Sequence, residues 1–133
     1  MFRFRRPASL ALAIAAAFAL AACGTAAPST GSATTVPSGI VAVQASNASG
    51  AYTFTPSTLT VPAGSVTFSV RNAGSEEHEF EIFKGETVVD EIEGLVPGLT
   101  KELTVTLAPG EYTFVCKLNG HDLAGMKGTL TVN

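Results

Sequence analysis

The stretch CKLNGHDLAGM, residues 116 to 126, carries a thiol, an imidazole and a thioether within eleven positions. The whole chain has two Cys, two His and two Met. Met1 and Cys23 lie in an N-terminal leader, which leaves Cys116, His121, Met126 and the upstream His78 as the supply of soft donors. Singly, each has an ordinary explanation: a hydrogen-bonded core histidine, a cysteine packed as a small hydrophobe, a methionine filling a gap. Together they make a metal-ligand set. Two imidazoles, one thiolate and one thioether, with no water-like oxygen, suit one copper ion, cycling between Cu+ and Cu2+, in a plane of two His and one Cys with a weak sulfur outside it. Zinc also accepts His and Cys, but structural zinc takes four strong ligands and catalytic zinc keeps a place for water. The thioether favours copper.

Such donors need strands to aim them. From Ile40 onward, short β-type runs are separated by turn residues: Ile40–Ala45, Ala51–Phe54, Thr58–Val61, Ser65–Arg71, Glu77–Phe83, Thr87–Ile92, Lys101–Leu107, Glu111–Cys116 and Gly128–Val132. Pro62-Ala63-Gly64, Asn72-Ala73-Gly74, Lys84-Gly85, Pro97-Gly98 and Pro109-Gly110 punctuate them. No run has a helical period. The chain therefore reads as all-β, an antiparallel sandwich or barrel. Alternation aims the donors. His78, Phe80 and Ile82 share one face, with Glu77, Glu79 and Glu81 on the other, and Tyr112, Phe114 and Cys116 share an apolar face of their own strand. Two strands each send one donor inward, and the loop after Cys116 supplies two more.

The leader is not part of this domain. Arg3, Arg5 and Arg6 precede an Ala/Leu-rich run from Ala8 to Ala22 whose only polar residue is Ser9. That is the layout of an export signal, and the run is too short and too rich in Ala for a transmembrane helix. Leu20-Ala21-Ala22-Cys23-Gly24 resembles the lipobox of bacterial lipoproteins, which implies lipidation at Cys23; Ala19-Leu20-Ala21 offers a plain signal cleavage pattern instead. A disulfide between Cys23 and Cys116 is conceivable in an oxidising compartment, but lipidation forbids it. Residues 24 to 38 carry no charge and almost no large apolar residue, and read as a flexible tether reaching roughly 20 Å. The expected organisation is a signal at 1–22, a tether at 23–38 and one domain at 39–133.

Without the three leader arginines, five basic residues face eleven acidic ones, a net charge of −6. Such a surface does not suggest nucleic acid or anionic lipid as partners. There is no Ser/His/Asp arrangement for acyl transfer and no Gly-rich phosphate cradle after a strand. A full coordination sphere leaves no place for substrate. The chain reads as a carrier and not an enzyme.

Two resemblances sharpen this. YTFVCKLNGHDLAGMKGTLTV, Tyr112 to Val132, resembles the C-terminal ligand loop of the cupredoxins, the type 1 blue copper proteins that include plastocyanin, azurin and auracyanin. Cys, four residues, His, four residues, Met matches the auracyanin-like spacing, and HEFEIF from His78 resembles the strand that brings the first His. The resemblance spans about Ile40 to Asn133. It implies a Greek-key β-sandwich, His78, Cys116 and His121 as equatorial copper ligands, Met126 as the axial one, and electron transport between exported or membrane-bound redox partners. Many members have Pro where Asn119 stands and Asn where Glu79 stands. Cys116 lacks the flanking His of multicopper oxidases and the second loop Cys of a dinuclear purple centre.

EFEIFKGETVVDEIEGLVPGLTKELTVTLAPGEYTF is similar to the cupredoxin-like domain of periplasmic iron-uptake lipoproteins. That implies an alternative role in copper or iron uptake, with Glu79, Glu81, Asp90, Glu91 and Glu93 as a hard oxygen site. Outward acidic positions are also what a solvated strand face provides. The expected protein is a monomer on the periplasmic or cell-surface side of a bacterial membrane, held by its lipid. Its expected redox partner has a basic docking face and meets an exposed His121 ring edge near Leu118, Leu123 and Ala124.

Overall fold

The computed structural model describes residues 34–35 and 39–133. The signal at 1–22, Cys23 and most of the tether lie outside the described residues. Among the described residues, ten strands are present: β1 (Thr34–Thr35), β2 (Ile40–Ser46), β3 (Thr53–Thr55), β4 (Thr58–Val61), β5 (Gly64–Asn72), β6 (His78–Lys84), β7 (Thr87–Leu95), β8 (Thr100–Leu107), β9 (Gly110–Val115) and β10 (Lys127–Val132). All nine sequence-read runs are strands. The stretch read as tether also contains β1, which pairs in parallel with β4, so part of that segment is docked on a sheet.

The strands form two sheets, one ordered β1-β4-β10-β9-β6-β7 and the other β3-β2-β5-β8. Both are mixed. The antiparallel expectation is corrected at β4 with β10 and at β2 with β5, which pair in parallel. Alternation reports which face is buried, and it is blind to the direction of the neighbouring strand.

The two faces expected to turn inward, His78, Phe80 and Ile82 on β6 and Tyr112, Phe114 and Cys116 along β9 and just past it, are buried. In β2, Val41, Val43 and Ala45 are buried while Ile40, Ala42 and Gln44 are exposed. Four phenylalanines join the sheets: Phe54 and Phe68 from one, Phe80 and Phe114 from the other. The Phe80 ring lies 5.4 Å from Phe54, 5.5 Å from Phe68 and 5.3 Å from Phe114, centroid to centroid. Edge and tilted arrangements at this spacing match the attraction between ring edges and faces. Gly128 makes room for this cluster. A Cβ there would run into the Phe114 ring and stand 2.6 Å from the Ser57 carbonyl oxygen.

The floor of phenylalanines determines where the donors go. Phe80 is two residues beyond His78, and Phe114 two before Cys116, so each donor is the next inward position on its strand. Both donors therefore emerge at the same end of the sandwich. The pairing of β6 with β7 slips between His78 and Phe80, where His78 faces Leu95 and Phe80 faces Ile92, leaving one extra residue on β7. Bulges of this kind re-aim side chains at sheet ends.

Candidate metal centre

His78, Cys116 and His121 come together at that end, all three buried, with their ligand atoms within 4.8 Å of one another. His78 Nδ1 is 3.3 Å from His121 Nδ1, and Cys116 Sγ is 3.4 Å from His121 Nδ1. Donors ~2.0–2.3 Å from a shared ion, at trigonal to tetrahedral angles, stand ~3.3–3.7 Å apart. The two contacts to His121 Nδ1 fall in that range. The residues present fit a soft ion held by two imidazole nitrogens and one thiolate.

The loop from Cys116 to Met126 is closed by its own backbone. Cys116 N–H donates to Met126 O at 3.1 Å, Met126 N–H to His121 O at 2.9 Å, and His121 N–H to Leu118 O at 3.0 Å. Met126 is fully buried, and its backbone is tied to two of the other three donor residues. Asn119 has φ +50° and ψ +20°, and Gly120 φ +78°. Proline is locked near −65° and cannot take the Asn119 conformation, whereas Asn tolerates it. The departure at Asn119 is thus a different loop turn built from suitable residues.

Cys116 Sγ accepts from the Glu79 backbone N–H at 3.2 Å. Any residue at 79 except proline supplies that donor, so the change of side chain there leaves the contact intact. Burial pushes the Cys116 thiol above its usual range, against the opposing pull of the Glu79 and Leu118 N–H groups. Burial first, and then the neighbouring His121, lower the basicity of His78. Burial thus biases His78 and the Cys116 thiol towards their uncharged forms, and metal binding must displace the thiol proton. His78 Nε2 is buried without a partner, so its hydrogen-bonding atom on the other side of the ring is the Nδ1 that faces the cluster.

His121 differs from expectation. It is only 4% exposed, because the Tyr52 ring covers it at 4.3 Å between centroids, tilted by 31°. The exposed His121 edge is thereby corrected. Tyr52 comes from the segment before β3, a long-range neighbour that no local pattern announces. Leu123, by contrast, is 91% exposed beside the site, while Leu118 packs against the core.

Glu81 is a second correction. Read as an outward solvated acid, it is buried, because the ligand loop folds over the outer face of β6 and Lys117 N–H donates to Glu81 Oε1 at 3.3 Å. Burial, its largest cause, raises the Glu81 carboxyl above the usual range. Glu81 and Glu91 are cross-strand partners, as are Ile82 and Asp90. Glu79, Glu81, Asp90, Glu91 and Glu93 nevertheless do not converge on a point. Among the described residues, His78, Cys116 and His121 are the one group of three or more metal-ligating side chains at such distances. Cys116 is a free thiol.

A β-sandwich of two mixed sheets with two His and one Cys at one end defines a class of metal-binding domain. Residues 10–132 match the cupredoxin-like domain family, and the chain belongs to it. Its fold is shared with reduced auracyanin from the photosynthetic bacterium Roseiflexus castenholzii, at a TM-score of 0.66 and 23% identity over 74% of this chain and 99% of that one. Auracyanin A of Chloroflexus aurantiacus, described as a "blue" copper protein, is similar at a TM-score of 0.62 and 24% identity over 71% of this chain and all of that one. In sequence, the chain is 47% identical over 77 residues to the iron uptake system component EfeO of Yersinia pseudotuberculosis, 58% of this chain but 20% of that protein. The chain thus spans about a fifth of the length of the curated relatives it matches.

Proposed function

We propose that the chain is a mononuclear type 1 copper protein that carries single electrons between exported or membrane-bound redox partners. The observation that carries this reading is the set of contacts at 3.3 and 3.4 Å among the buried His78 Nδ1, His121 Nδ1 and Cys116 Sγ. When bound, copper supplies a one-electron Cu+/Cu2+ couple. His78, His121 and Cys116 would hold it as strong ligands and Met126 as the weak one, a set that would leave no position for substrate, so the protein acts as a carrier and not an enzyme. The N-terminal pattern supports export and anchoring through lipid on Cys23. The acidic balance suits a partner with a basic face. The test is a visible spectrum of the purified protein with added Cu2+. An intense blue band from thiolate-to-copper charge transfer is expected, absent in Cys116→Ala. A colourless Cu2+ complex in the parent protein refutes the assignment.

The likeness to EfeO favours a second reading, in which the domain handles copper or iron for an uptake system. The two readings part on ligands: an uptake role through Glu79, Glu81, Asp90, Glu91 and Glu93 retains metal binding in Cys116→Ala, whereas the electron-carrier role does not.

A further inference from the structure

The side of His121 away from the cluster is enclosed by a polar group of three residues from two separate loops. Glu76 Oε2 stands 3.6 Å from His121 Nε2, an electrostatic contact that is long for a hydrogen bond. The Glu76 carboxylate is itself fixed. Tyr52 Oη donates to Oε1 at 3.0 Å, with Oε2 at 3.3 Å, and Asn47 Nδ2 donates to Oε1 at 2.8 Å. The loop bearing Glu76 is pinned twice more. Ser75 N–H donates to Asn47 Oδ1 at 2.8 Å, and the buried Asn72 donates through Nδ2 to Glu76 O and Leu95 O, each at 2.7 Å. Gly74 sits where a Cβ would collide with Asn47 Oδ1 and lie 3.1 Å from His78 Nε2, so only glycine lets the loop approach this closely.

We propose that Asn47, Tyr52 and Glu76 form a clasp that holds His121 as an Nδ1 ligand and lowers the reduction potential of the bound copper. An imidazole binds metal through Nδ1 only when its proton is on Nε2. A carboxylate accepts hydrogen bonds and donates none, so Glu76 favours that tautomer. The Tyr52 ring stops the imidazole from swinging out. The nearby negative charge stabilises Cu2+ more than Cu+, and the imidazole facing it is a stronger donor. His78 has no equivalent carboxylate, since its Nε2 is unpartnered. The two imidazoles are therefore unequal ligands. Glu76 is 48% exposed, and an exposed pair contributes little to folding stability, so its effect belongs to the copper couple.

The inference rests on the copper reading, and two measurements separate them. In the copper-loaded protein, Glu76→Gln keeps the shape and removes the charge. It should shift the balance between Cu+ and Cu2+ about tenfold towards Cu+, a rise of about 59 mV for a one-electron couple. Tyr52→Phe should raise the potential less, and Glu102→Gln on the other sheet should leave it within about twofold. In the metal-free protein, nitrogen NMR should find His121 protonated at Nε2, and Glu76→Ala should yield a mixture with at least about a tenth of the Nδ1 form. If the parent is blue while Glu76→Gln leaves the potential unchanged and Glu76→Ala leaves the His121 tautomer unchanged, the clasp is refuted. A parent that forms no blue complex refutes the copper reading, and the tautomer measurement still decides the clasp.

Discussion

Replacing Phe80 by Ala tests whether the two sheets are joined under the metal centre as described. Phe80 is fully buried, and its ring meets three others at 5.3, 5.4 and 5.5 Å. Removing a buried Phe side chain costs ~3–5 kcal/mol through lost transfer energy and the cavity left behind. Aromatic pairs add ~0.5–1.5 kcal/mol each beyond area burial, so three partners place this site at the top of that range. The expected loss is about 4–5 kcal/mol, a large share of the ~5–15 kcal/mol that holds a domain folded. Urea unfolding of the metal-free protein measures it, with Phe80→Leu, at about 1–2 kcal/mol, as the variant certain to stay folded. A double-mutant cycle with Phe114→Leu should show coupling of at least ~0.5 kcal/mol. Loss of less than ~2 kcal/mol in Phe80→Ala, with no coupling, would mean that the rings do not bridge the sheets.

Met126→Leu should keep the blue band and raise the potential, because a weak axial ligand tunes copper without holding it; complete loss of copper binding would contradict the axial role. Leu123→Lys should change stability by no more than ~0.5 kcal/mol at a position 91% exposed, yet slow electron exchange with a basic partner about tenfold, and added salt should slow exchange in the parent. The metal-free protein should lose stability as pH falls below about 6.5, because burial lowers the basicity of His78 and the unfolded chain then binds a proton that the folded one refuses; urea midpoints at pH 7.5 and pH 5 check the sign, with His78→Gln as the control. Cys23→Ala should move the protein from washed membranes to the soluble exported fraction.

The strands were legible because this chain alternates cleanly and marks its turns with Pro and Gly. Even the short Thr58–Val61 run has the bounds read from sequence. The cluster of His78, Cys116 and His121 was legible for another reason: soft side chains are so few that these residues had almost no competitors. Parallel pairing of β4 with β10 was not legible, since alternation is the same for either direction. Nor was the burial of Glu81, which depends on a loop folding back over a strand whose own pattern turns that residue outward. The clasp residues Asn47 and Tyr52 lie 29 and 24 positions before Glu76 and follow no period with it. Asn72-Ala73-Gly74 was read as a turn, which it is, but nothing local signals that Asn72 staples it to the end of β7.

The depth of the site governs how an ion gets in and out. His78, Cys116 and Met126 have no exposure at all, and Tyr52 lies across the fourth donor residue. An ion can reach them only when part of the surrounding structure opens, and such openings carry their own free energy. Exchange of one metal for another is then limited by the rate of opening and not by relative affinity. Copper added to the folded, metal-free protein should therefore load at the rate of that opening.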